Sequence, residues 1–91
     1  MSDYFFYPAY FDGVMPPKSK IDKYVIEKVR EWRLEKGLSQ SQLAFELDIS
    51  TGFIAMVESG KYPHKYNVHH LNEIAKILEC SAKDFFPAKP I

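Results

Sequence analysis

A single cysteine, Cys80, stands among the 91 residues, so no internal disulfide can hold this chain together. One unpaired cysteine also fits a reducing compartment. Long apolar runs are absent: none approaches the ~18 residues that a membrane span needs, and no membrane contact is expected. The first seventeen residues hold no base and two acids, Asp3 and Asp12. That is not the make-up of a secretory leader, and the cytoplasm is the expected location. Glycine numbers only four, and no glycine-rich phosphate loop can be drawn from it. An excess of either charge is missing as well. Twelve bases balance twelve acids, which argues against bulk, sequence-blind attraction to nucleic acid.

What is present is unevenly placed. Residues 18–36 carry seven bases and four acids, and residues 37–58 carry three acids and no base. From Ser59 to Asn72 the charged or chargeable residues are Lys61, His64, Lys65, His69 and His70, with no acid among them. Basic character is thus confined to one helical region and one loop. Six aromatics fall in the first eleven positions, followed by Gly13 and the pair Pro16–Pro17, which reads as an aromatic arm on a stiff linker. This divides the chain into an arm and linker (1–20), a helical domain (21–87) and a short tail (88–91).

Within the domain, Val25, Ile26, Val29 and Trp32 recur at spacings of three and four, which predicts a helix from Ile21 to Lys36 closed by Gly37. Ser39 with Gln42 forms a capping box for a second helix whose inner face is Leu43, Ala44 and Leu47. Asp48 takes the corner that follows, because Asp tolerates a left-handed backbone better than most residues. Ser50 caps a third helix with Ile54 and Val57 inward and Gly60 at its end. Asn67 caps a fourth, with Leu71, Ile74, Ala75 and Leu78 inward, and Ser81 with Asp84 caps a last turn ending at Phe85 and Phe86. The expected fold is all-α, a bundle of about five short helices.

The second and third helices are each too short to persist alone, since isolated helices below ~12–15 residues are marginal in water. Ala44 is small enough for the third helix to cross close to the second, burying Leu43, Leu47, Ile49, Ile54 and Val57 against the rest. With "VREWRLEKGLSQSQLA" ahead of this unit and "VESGK" ending it, the sequence from about Tyr24 to Phe86 resembles the Xre/Cro-type helix-turn-helix family, of lambda-repressor-like fold.

The resemblance implies that the helix over 50–59 lies in the major groove of double-stranded DNA while the second crosses the phosphate backbone. Thr51, Gly52, Ala55 and Met56 match the base-facing positions, and Gln40 matches a phosphate-binding one. Ser50, at the groove-side cap, and Lys61, Lys65, Tyr66 and Asn67, in the following loop, are expected to meet further phosphates. The loop abuts a helix N-terminus, whose dipole and free N–H groups favour an anion. Arg33 and Glu58 match a pair that ties the first helix to the third by a salt bridge. The groove face has no Arg, Lys, Gln or Asn, and so lacks the bidentate readers that each supply ~1–3 kcal/mol of base discrimination. Shape and thymine-methyl contact remain.

No enzyme or cofactor is expected. The sequence shows no activated nucleophile, and the three histidines are not spaced as metal pairs. The leading expectation is a transcriptional repressor acting as a homodimer on a palindromic site. A second stays open: a protein-binding module, antitoxin-like or an adaptor, whose aromatic arm holds a partner protein while DNA binding is weak or secondary. Tyr and Phe are enriched at such interfaces. They equally fit an arm folded back near Phe85 and Phe86.

Overall fold

Local capping sets the helix starts of this chain. A computed structural model describes residues 16–91, and the expected aromatic arm lies outside them up to Met15. Among the described residues there are four α-helices, α1 (Lys20–Glu35), α2 (Gln40–Leu47), α3 (Thr51–Glu58) and α4 (Val68–Leu78), and a 3-10 turn (Ala82–Phe85). The fifth helix expected from the sequence is this single turn. Every start has a side-chain cap: Ser19, Ser39, Ser50, Asn67 and Ser81 each accept from a backbone N–H in the first turn of the element. A cap of this kind is worth ~1 kcal/mol, because it satisfies a donor that the helix itself cannot.

The ends differ. After α1, Gly37 adopts φ +74, the N–H of Leu38 reaches back to Arg33 O and that of Gly37 to Leu34 O, both at 3.0 Å. This crossed pair of bonds requires one left-handed residue, which glycine supplies without strain. Asp48 (φ 57) closes α2 in the same way, with Ile49 N bonded to Ala44 O. Glu79 (φ 58) closes α4 similarly, a position that no turn residue marks in the sequence. At α3 the sequence expectation is corrected. Gly60 does not take a left-handed conformation, and the helix leaves through an extended Ser59 (φ −78, ψ 139).

The core gathers Val25, Ile26 and Val29 from α1, Leu43 and Ala44 from α2, Ile54 and Val57 from α3, and Leu71, Ile74, Ala75 and Leu78 from α4. Phe85 in the last turn is fully buried and seals the base of the bundle, where the turn packs on α1 and α4. Trp32, Leu47, Ile49 and Cys80 pack partly buried around this centre. Burial pushes the Cys80 thiol up, as for a small apolar residue rather than a reactive one. α2 and α3 pack directly on each other, and α1 and α4 support them from behind. The paired short helices therefore borrow their stability from tertiary contact.

Candidate nucleic-acid interface

On α3, Ile54 and Val57 point inward with no exposed surface. Thr51, Gly52 and Ala55 lie on the opposite side and are exposed, with Met56 half-buried beside them. A methyl group added at Gly52 would meet nothing within 4 Å. The face is open and built of small groups, so it can approach another surface closely. Ser50 sits at its N-terminal edge, its hydroxyl oxygen accepting from Phe53 N at 3.1 Å.

The C-terminal end of α3 is held from several sides. The Arg33 guanidinium donates to Glu58 through Nε (2.9 Å) and Nη2 (2.8 Å), and through Nη1 to Leu38 O (2.7 Å). The two side chains are only 6% and 4% exposed, so their charges are compensated almost wholly by each other and by this fork. Gln40 Nε2 donates to the same Glu58 carboxylate at 2.9 Å, and Arg30 Nε stands 3.8 Å from it. Glu58 thus joins α1, α2 and α3 at one point.

The remaining candidates separate into reachable and engaged groups. Lys61 is exposed, and its backbone N–H rests on Ser59 Oγ at 3.2 Å. Lys65, by contrast, spends its ammonium on Asp22 at 3.1 Å. Burial pushes the Asp22 carboxyl up, but the Ser19 amide and hydroxyl together with Lys65 outweigh it, and its pKa falls below the ordinary value. Asn67 is exposed, with its side-chain oxygen accepting from His70 N at 2.7 Å.

Tyr66 is a correction. Its ring belongs to the core at 8% exposure and its hydroxyl is buried, so it cannot reach a phosphate. Burial, reinforced by the nearby Glu58 charge, raises its pKa and keeps the hydroxyl neutral.

Three contributors escape the sequence reading. Arg30 has only its place one turn before Arg33 to mark it. His70 is legible as Asn67-x-x-His70: its Nδ1 accepts from Asn67 N at 3.1 Å, completing a capping box in which histidine stands where glutamate or glutamine is usual. Its ring lies 5.2 Å from that of Phe53 in the first turn of α3, and burial followed by the charge of His69 lowers its pKa. The third, Lys18, lies outside any recognisable motif.

The helix-turn-helix family model matches residues 29–85, well over half of the chain, and the chain belongs to this DNA-binding family in its Xre/Cro-like form. Among solved structures it is similar to the master regulator for biofilm formation SinR, in a complex with DNA. That likeness has 20% identity and a TM-score of 0.59, over 67% of this chain and 95% of that one. It is also similar to the restriction-modification controller protein C.AhdI from Aeromonas hydrophila, with 27% identity and a TM-score of 0.61, over 71% and 97%. A third likeness is to hydroxypropylphosphonic acid epoxidase from S. wedmorenis, with 20% identity and a TM-score of 0.66, over 77% of this chain but 36% of that one. The enzyme is matched only in its helix-turn-helix part. No curated protein gives a significant sequence match. No described helix is long and apolar enough to cross a membrane.

Proposed function

We propose that this chain is a sequence-specific, double-stranded DNA-binding transcription regulator that lays α3 in the major groove. The observation that carries the reading is the open small-residue face of α3 on a helix whose far end is fixed by the Arg33–Glu58–Gln40 cluster. Thr51 supplies a hydroxyl to base edges, Ala55 and Met56 meet thymine methyls, and Gly52 admits close backbone approach. Lys61 grips a phosphate beyond the C-terminal end of α3, and Ser50 at its N-terminal end and Asn67 at the start of α4 meet others. Gln40 reaches another phosphate with the N–H that Glu58 does not take.

One such unit covers few base pairs and lacks bidentate readers. Specificity then calls for two units on half-sites one helical turn apart, so the regulator acts as a dimer on a palindrome, and bound across a promoter it represses. Selection of duplexes from a random pool is the test. An enriched palindrome supports the dimeric reader, and a single enriched half-site removes the dimer. No enrichment removes the DNA reading and favours the partner-binding one. Sedimentation of the chain without residues 2 to 15 tells whether the aromatic arm adds to self-association.

A further inference from the structure

Three of the four described helices close on a left-handed residue, Gly37, Asp48 or Glu79, whose backbone helps satisfy the last carbonyls. α3, the helix offered to the groove, has no such residue. Two carbonyls at that end, one in the last turn and one on the cap residue, are met instead by a side chain about forty positions earlier. Lys18 Nζ donates to Val57 O at 2.7 Å and to Ser59 O at 2.8 Å. A cation at a helix C-terminus is favoured twice, by the bonds it makes and by the negative end of the helix dipole. Lys18 follows directly on Pro16–Pro17, and these rings restrict the backbone that brings it there. It precedes the residues matched by the family model, so the device belongs to this chain's own linker. Together with Pro17, Lys61 and Tyr62 it lines a groove of about 700 Å³ between α1 and the segment after α3. Burial draws its pKa below the ordinary lysine value, against the opposing charge of Asp22.

We infer that Lys18 is a positioning residue for DNA binding: it closes the C-terminus of the recognition helix and sets the Ser59–Lys61 backbone that aims Lys61 at a phosphate. The inference rests on the groove-binding role proposed for α3, but its structural half can be measured without DNA. The ammonium lies against carbonyl oxygens, so it adds to affinity through geometry and not by displacing a counterion from DNA.

The experiment compares Lys18→Met and Lys18→Arg with the parent, using amide hydrogen exchange on the free protein and duplex titrations across a salt series. Charge-assisted bonds of this kind predict about tenfold faster exchange at Ser59 and Lys61 in Lys18→Met, with the amides of Val29 and Ile74 unchanged. Lys18→Arg should recover most of that protection. Lys18→Met should bind duplex several-fold more weakly at an unchanged salt slope.

Unchanged exchange at Ser59, or acceleration spread equally over the core amides, would overturn the helix-closing role. A slope smaller by about one unit would make Lys18 a phosphate contact and overturn the positioning role. If the parent binds no duplex, the groove-binding reading fails and positioning for DNA fails with it, while the exchange data still decide whether Lys18 closes α3.

Discussion

The two ends of α3 are built in opposite ways. At the N-terminus one serine hydroxyl caps the helix, and Thr51 and Gly52 face outward with nothing packed over them. At the C-terminus Glu58 receives Arg33 and Gln40, Arg30 stands close by, and Lys18 takes the Val57 and Ser59 carbonyls. A helix that must enter a groove cannot bury the end that enters. Its orientation has to be fixed at the other end. The contrast sets a buried ionic joint at one end against small exposed groups at the other.

Breaking the joint should have the largest effect. Removing either partner of a buried pair leaves an uncompensated charge, which costs ~3–5 kcal/mol. Arg33→Met and Glu58→Leu should each lower stability to denaturant by an amount of that order. The double variant should be less destabilised than the sum, because no orphan charge remains. Strict additivity would show that the 2.8 Å contact carries no coupling.

At the other end, Ser50→Ala removes only a cap, and a loss of ~1 kcal/mol is expected in the same titration. A cost as large as that at Glu58 would erase the contrast. On DNA, Lys61→Ala should lower the salt slope by about one unit and weaken specific and random duplexes alike. Lys65→Ala should change the slope less, since its ammonium is already on Asp22. Equal slopes in the two variants would mean that Lys65 leaves Asp22 for a phosphate.

Gly52→Ala separates folding from reading. Alanine is the better helix former and has room here, so stability should rise by ~0.5 kcal/mol, while duplex affinity should fall if the face sits in a groove. A rise in both would take Gly52 off the interface.

The mildest test is acid. His70 has a lowered pKa in the folded state, so the folded chain holds fewer protons than the unfolded one below neutrality. Its contribution is complete above the unfolded imidazole value, ~6.5, and is lost as the pH falls through the folded pKa. Protonation also removes the acceptor for Asn67 N and places a cation at a helix N-terminus. A pH titration of stability should show a small decline that His70→Gln, which keeps an acceptor, abolishes.

Much of the scaffold is legible in the sequence. The Ser39 and Ser81 boxes, the Ser50 and Asn67 caps, Asp48 at the corner and Gly37 after α1 all stand where the local residue pattern puts them. Caps and turns act over three or four residues, and both partners are then visible in one short string. What the sequence leaves unread falls where partners are distant. Lys65 and Tyr66 do lie in the loop between α3 and α4, but the ammonium of one turns to Asp22 on α1 and the ring of the other enters the core. Gly60 reads as a terminator from its position alone, whereas the helix leaves through an extended Ser59 and the side chain bonded at that end comes from about forty residues earlier.

The linear pattern by itself determined an all-helical chain, where its helices begin, and the membership of residues 29–85 in the helix-turn-helix family. Helical periodicity and capping are local properties, set by backbone geometry and side-chain reach. Only the tertiary structure decided which charges are spent inside the protein and which face outward. Lys61 and Lys65 carry the same charge on one short loop, yet only packing brings Asp22 to one of them and leaves the other in solvent. Coulomb energy depends on separation and burial, and neither can be read from positions along a chain.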